Sequence, residues 1–113
     1  MRRRRDPQAL YNEIIRKQQW ALEDFVAQEL EWADHLLMYY RITKKDMPDN
    51  EYRAYAFFKN KEYLNKPGAL SLLYTMYKRC IDELPSPTKE NCVDLLAFRY
   101  RMYARVLMNW GFS

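Results

Sequence analysis

The chain has 113 residues and a formal net charge of +4, with 49% hydrophobic and 16% aromatic residues. This length corresponds to one domain, and five prolines with only two glycines favour a packed helical domain over a disordered or all-β one. No apolar run approaches the roughly 18 residues of a membrane span, and no apolar segment follows the N-terminal arginines. We therefore expect neither a membrane-spanning protein nor one with a cleaved secretory signal.

Charge is unevenly distributed along the chain. Residues 1–20 hold six Arg or Lys against two acids, residues 21–88 hold nine against eleven, and residues 89–113 hold four against two. Both ends are therefore basic and the middle is slightly acidic. Within the middle, five acids occur in a stretch without a basic residue: Glu23, Asp24, Glu29, Glu31 and Asp34. This pattern favours a solvated helix face, and a docking face for a basic protein is the alternative.

The first predicted helix begins at Pro7, which suits the first turn of a helix, with Asp6 as its cap. Apolar residues then recur at three- and four-residue spacing as far as Thr43, and neither Gly nor Pro interrupts them. The pattern predicts one long helix or two helices joined near residues 17–20. The width of the apolar set favours two.

Three further helices are predicted after a corner at residues 44–50, which combines cationic residues, a proline and Asx caps. An aromatic-rich helix is expected over residues 51–64, ending before a Pro-Gly pair. The next helix is expected to begin near Ala69 and to end by Leu84. Thr88 can cap a last helix, which continues to the second glycine of the chain.

The predicted fold is all-α, with four to five helices in antiparallel hairpins that form a short bundle resembling a helical repeat. Residues 1–6 are expected to be a basic N-terminal arm, and residues 7–113 a single helical domain. No segment shows the strict alternation of a half-buried strand.

Candidates for catalysis and metal binding are few. Cys80, Cys92 and the single histidine, His35, do not supply the four ligands of a structural zinc site. The cysteines are expected to be reduced, as small buried hydrophobic residues, and a disulfide across a hairpin is the alternative. No Gly-rich phosphate loop and no nucleophile with a base beside it is evident. We predict no enzyme activity, no catalytic residue, no cofactor and no metal.

One pattern occurs twice. A corner of Asp and Pro precedes a helix that opens on tyrosine, at Tyr11 and Tyr52, and an Ala-x-x-Leu-Leu face follows at residues 33–37 and again at residues 69–73. This pattern resembles the helical-hairpin repeats of the pentatricopeptide family. In that family small alanines let two helices approach, while leucines fill the seam to the next hairpin. The resemblance covers roughly residues 7–87.

A second, weaker resemblance lies in residues 36–40 together with residues 49–55, which are similar to a passage in the helical repeats of mRNA-export scaffolds. Both resemblances imply a helical repeat that works near RNA. Sequence-specific base reading is not expected, since Glu13 stands at a base-contacting position of the pentatricopeptide pattern and would repel the phosphates.

Two sets of residues are predicted to contact partners. Basic side chains at the N-terminus and on the last helix suit an RNA backbone or another anionic partner: Arg2, Arg3, Arg4, Arg5, Arg99, Arg101 and Arg105. Aromatic side chains are candidates for a protein interface, because rings with polar tips suit half-buried contacts: Trp20, Trp32, Tyr39, Tyr55, Tyr103 and Trp110. A solvated tail and core tyrosines are the alternatives for these two sets.

The sequence favours a non-enzymatic structural or adaptor subunit of a larger RNA-containing assembly. Its partners would be protein subunits and RNA backbone, with no small-molecule substrate. The pentatricopeptide resemblance implies a mitochondrial ribosome or RNA-processing complex as that assembly. The alternatives are an accessory subunit of a membrane-associated respiratory complex and a small viral adaptor.

Overall fold

The computed structural model describes residues 7–109, which form four α-helices and contain no strand. The helices are α1 (Pro7–Thr43), α2 (Asp49–Lys59), α3 (Pro67–Glu83) and α4 (Cys92–Asn109). One 3-10 turn, Glu62–Leu64, lies between α2 and α3. The all-α prediction is confirmed, and the helix number over these residues is the lower of the two expected.

Helix α1 runs unbroken through 37 residues, so the favoured interpretation of two helices is wrong. The physical reason is local: Lys17, Gln19 and their neighbours favour helix, and no Gly or Pro breaks the hydrogen-bond ladder. Residues 7–43 therefore form one rod of about 55 Å and not a hairpin. The radius of gyration, 17.0 Å, exceeds the roughly 13 Å of a compact domain of this size because of this long helix.

The corner after α1 lies where it was predicted. Lys44 adopts a left-handed conformation with φ 55°, and the amide of Lys45 donates to the carbonyl of Tyr40 over 3.1 Å. Such a residue ends a helix, because a left-handed turn cannot continue the right-handed ladder. Pro48 then precedes α2 with φ −57° and ψ 146°.

The second predicted helix is shorter than expected. Lys61 takes φ 55°, so α2 ends at Lys59 and the remainder becomes the 3-10 turn. The last helix also begins later than Thr88. The Thr88 hydroxyl accepts from the amide of Asn91, and the Asn91 side chain accepts from the amide of Thr88. This reciprocal pair closes a turn ahead of α4 in the manner of a capping box.

The core is aromatic and is organised around α4, which contacts each of the other three helices and packs most extensively on α2. Five rings interlock at its centre with centroid separations of 5.6 to 6.3 Å: Phe25, Phe57, Phe58, Tyr100 and Tyr103. Most of these pairs are edge-to-face or tilted, which suits the ring quadrupoles. The small residues Ala33, Ala54 and Ala69 are fully buried in this core.

Candidate interaction surfaces

The first part of α1 stands clear of the bundle. The side chains described between Pro7 and Trp20 are exposed apart from that of Glu13, and among the side chains described along α1 the first buried one is Phe25. We call residues 7–20 the α1 extension. At 1.5 Å per residue it projects about 21 Å.

The α1 extension carries an apolar stripe. Leu10, Tyr11 and Ile14 are 40%, 60% and 46% exposed, and their spacing places them on one side of the helix. The same spacing continues through Leu22 and Phe25, which pack in the bundle. The stripe is therefore one surface, of which the bundle covers only the C-terminal half.

A groove opens at the base of the extension. It has a volume of about 370 Å³ and is lined mainly by apolar side chains from α1, the 3-10 turn and the start of α3: Leu22, Val26, Tyr63, Leu64, Pro67 and Leu70. We call it the basal groove. Gln19 and Glu23 form its polar rim. Leu64 is 68% exposed, so the wall opposite α1 presents apolar surface to solvent.

A second apolar groove, of about 340 Å³, lies between the middle of α1 and the start of α4. Its walls include Trp32, His35, Pro87, Cys92 and Val93. The rings of Trp32 and His35 lie 5.4 Å apart. Cys92 is half-buried and Cys80 is buried, and both are free thiols.

The aromatic residues predicted for a protein interface occupy three environments. Trp20 and Trp32 are exposed, whereas Tyr39 and Tyr55 are half-buried. Tyr103 is completely buried among the core rings, so it does not form part of a surface. Trp110 lies outside the described residues.

The basic residues predicted for RNA contact also differ in their environments. Arg101 and Arg105 are exposed on α4, one turn apart. Arg99 is largely buried and its guanidinium is held by Glu29, so it is not placed to meet a phosphate. Tyr77 covers Arg99, with its ring centroid 5.2 Å from the guanidinium carbon. Arg2, Arg3, Arg4 and Arg5 lie outside the described residues.

Glu29 and Arg99 form an internal ion pair between α1 and α4. Arg99 donates from Nη2 to Oε1 over 2.8 Å and from Nε to Oε2 over 3.3 Å, a bidentate arrangement. The Tyr100 hydroxyl donates to the backbone carbonyl of Glu29 over 2.6 Å. Burial raises the pKa of the Glu29 carboxyl, and Arg99 opposes that shift. This pair is an anchor within the bundle and not an exposed site.

The burial of Glu29 corrects the expectation that all five acids of this stretch are solvated. Glu23, Asp24, Glu31 and Asp34 are exposed, as expected, but Glu29 has no exposed surface. The helical period could have distinguished it, since Glu29 lies four residues after Phe25 and four before Ala33, on the buried side.

A second buried carboxylate fastens the first corner. The Tyr40 hydroxyl donates to Glu51 over 2.6 Å, and the amide of Glu51 donates to the side chain of Asn50 over 2.8 Å. Burial and this carboxylate raise the pKa of the Tyr40 hydroxyl. Arg53 and Glu62 form a bidentate pair nearby, with distances of 3.0 and 3.1 Å. These contacts stabilise the turns around α2 and are consistent with a structural role.

Between residues 7 and 109, the side chains of His, Cys, Asp and Glu do not gather in groups of three or more that would suit a metal ion. None of the helices described is long and apolar enough to cross a membrane. Comparisons with protein-family models, with curated proteins and with solved structures find no match to this chain.

Proposed function

We propose that the protein is a non-enzymatic structural subunit of a larger RNA-containing assembly, and that the α1 extension is its principal docking helix. The observation that supports this proposal is the exposure of Leu10, Tyr11 and Ile14 on a helix that has already formed. Contiguous apolar surface on a soluble domain usually marks a site of protein contact. A preformed helix also loses little conformational entropy when it docks.

The proposed contact with RNA is made by helix α4. Arg101 and Arg105 are exposed at i,i+4 spacing, so one helix face presents two cations. Two cations give a weak contact to phosphates without base reading. In this proposal the protein interface supplies most of the affinity, and the arginines contact RNA backbone already held in the assembly.

The pentatricopeptide resemblance extends the proposal to a mitochondrial ribosome or RNA-processing complex. It rests on the repeated tyrosine and Ala-x-x-Leu-Leu motifs, because no match to a known protein bears on location. Imaging of the tagged chain in its own cells tests this part: a cytosolic distribution would contradict it.

The test of the proposed function is native purification of the tagged full-length chain from its own cells. The Leu10→Glu/Ile14→Glu variant places carboxylates on the stripe, and the matched control Ile42→Glu makes the same change at a 71% exposed position near the end of α1. We expect the double variant to lose the co-purifying proteins and the control to keep them. Retention of those proteins by the double variant would refute docking through the extension.

A second variant addresses RNA. Arg101→Gln/Arg105→Gln is expected to keep the proteins but to lower the RNA recovered, with a shallower dependence of RNA recovery on salt. Ribonuclease treatment of the wild-type preparation separates the two contributions: proteins held by the extension remain, while those bridged by RNA leave. RNA recovery equal to that of the wild type would contradict the proposed contact between the α4 arginines and RNA.

A further inference from the structure

The loop between α3 and α4 carries a serine between two prolines. The loop spans residues 84–91, and its first part has the sequence Pro85-Ser86-Pro87. Ser86 and both prolines are exposed. The hydroxyl of Ser86 is therefore accessible to an enzyme that acts on the folded chain.

The two prolines favour an extended backbone around Ser86. A proline fixes its own φ at about −65° and biases the residue before it toward the extended region. Leu84, which precedes Pro85, has φ −97° and ψ 159°, as this rule predicts, and Ser86 precedes Pro87 in the same way. Residues 85–88 belong to no helix or turn. An extended segment that is already ordered loses little conformational entropy when it enters the substrate cleft of an enzyme.

The other Ser and Thr side chains between residues 7 and 109 are engaged in the fold. Three of them lie in helices and donate to the backbone carbonyl four residues earlier: Thr43, Ser71 and Thr75. The Thr88 hydroxyl accepts from the amide of Asn91. Ser86 is held through its backbone, since its carbonyl accepts from the Asn91 side chain over 3.3 Å. Within the part of the chain that the structure describes, Ser86 is thus the hydroxyl residue best presented to a kinase.

The residues that follow Ser86 indicate the class of kinase. Pro87 has no amide hydrogen, which disfavours enzymes that bind the N–H of the residue after the acceptor serine and favours proline-directed ones. Lys89 is exposed three residues after Ser86, where it can pair with a carboxylate of the enzyme. In the whole sequence, Ser86 is the one Ser or Thr that proline follows.

We propose that Ser86 is a phosphorylation site for a proline-directed serine/threonine kinase that also selects a basic residue three positions later. The Ser86 oxygen forms a bond to the γ-phosphorus of ATP, and the bond from that phosphorus to the bridging oxygen of the β-phosphate breaks. ADP leaves with the electron pair of that bond, and the hydroxyl proton passes to the catalytic carboxylate of the kinase. This proposal does not depend on the proposed function.

The modification would change the charge of one defined surface. A phosphoserine carries almost two negative charges at neutral pH. Ser86 directly precedes Pro87, which together with Lys89 forms part of the wall of the second apolar groove. Phosphorylation therefore adds negative charge beside a groove whose wall carries the cation of Lys89. The anchoring contact between Glu29 and Arg99 is already satisfied inside the bundle, so the helix content should not change.

The first experiment incubates the purified full-length chain with ATP and a purified cyclin-dependent kinase, which serves as the probe for the proline-directed class. Mass spectrometry counts and locates the phosphoryl groups, and we expect one per chain, on Ser86. Ser86→Ala should stay unmodified. Lys89→Ala should lower the initial rate by about 10-fold through loss of a charged contact, whereas the matched control Lys45→Ala, at the exposed corner after α1, should keep the wild-type rate.

A second experiment examines the tagged chain purified from its own cells with phosphatase inhibitors present. We expect a fraction of the chains to carry phosphate on Ser86, and phosphatase treatment to remove it. Circular dichroism checks that every variant keeps the helix content of the wild type.

Three results would overturn the inference. The first is a wild-type chain that accepts no phosphate from the kinase. The second is phosphate on another residue, seen as undiminished incorporation in Ser86→Ala. The third is a chain from its own cells without phosphate on Ser86, which would mean that the reaction occurs only with added kinase.

Discussion

The two parts of α1 have the same apolar spacing but differ in burial. From residue 21 onward the stripe is packed against α2, α3 and α4, and the same face holds Glu29 in an ion pair with Arg99. Over residues 7–20 the stripe contacts solvent. Helical periodicity thus identifies the apolar face of α1. The lengths of the neighbouring helices determine how much of that face is covered. The uncovered half is available to another molecule.

The largest effect is expected where α1 is most firmly held. Arg99→Met leaves the Glu29 carboxylate buried without its partner, and we expect the free energy of unfolding to fall by about 3 to 5 kcal/mol. Chemical denaturation followed by circular dichroism measures the change. The double variant Glu29→Met/Arg99→Met removes both charges and should recover much of the loss. A loss below about 1 kcal/mol in the single variant would contradict a structural role for the pair.

The second prediction concerns alkaline pH. Burial raises the pKa of both Tyr100 and Tyr103, so the folded state binds their protons more tightly than the unfolded state. Their stabilising contribution is complete below the ordinary tyrosine pKa of about 10 and is lost as pH rises above it. Each hydroxyl should lower the free energy of unfolding by about 1.4 kcal/mol per pH unit in that range.

Thermal unfolding between pH 8 and 11, followed with tyrosinate absorbance, measures this dependence. The slope should decrease in Tyr103→Phe, whose hydroxyl is buried close to Glu29 without a well-formed hydrogen bond. It should also decrease in Tyr100→Phe, which in addition loses the bond to the Glu29 carbonyl. Slopes equal to that of the wild type would show that these hydroxyls ionise within the folded protein.

The smallest effect is expected in the α1 extension. Leu10→Ala and Ile14→Ala remove side chains that are 40% and 46% exposed, so each should change the unfolding free energy of the monomer by less than about 0.5 kcal/mol. Denaturation of the purified chain at low protein concentration, where contacts between molecules are negligible, isolates this quantity. A loss of 2 kcal/mol or more, the range for a buried Leu or Ile, would mean that the extension packs on its own bundle.

Much of the fold could be predicted from patterns that operate over a few residues. Pro7, the corner near Pro48 and the Thr88 turn are local signals, and each lies at or close to a helix boundary in the structure. The sequence favours two helices over residues 7–43 because the apolar set is wider than the packed face of one helix. The structure has a single helix, whose apolar residues lie partly in the bundle and partly on the exposed extension. Helix α2 ends early because Lys61 adopts a left-handed conformation. Lysine is not one of the residue types enriched at positive φ, so the sequence does not predict this turn.

The candidate surfaces were harder to predict. The aromatic residues stay predicted contact residues as a class, and composition does not separate exposed Trp20 from buried Tyr103. Arg99 and Arg101 likewise look equivalent in sequence, two residues apart on a basic helix. Only the approach of Glu29, 70 residues earlier, turns Arg99 inward.

Local sequence patterns are enough to predict an all-α chain, the placement of its corners and the apolar face of each helix, because these properties follow from backbone sterics and helical periodicity. Which part of α1 is covered, which charges are paired inside the bundle and which grooves remain open depend on how the helices pack. These features depend on the relative positions of helices that are distant in sequence, and a local sequence pattern carries no information on those positions.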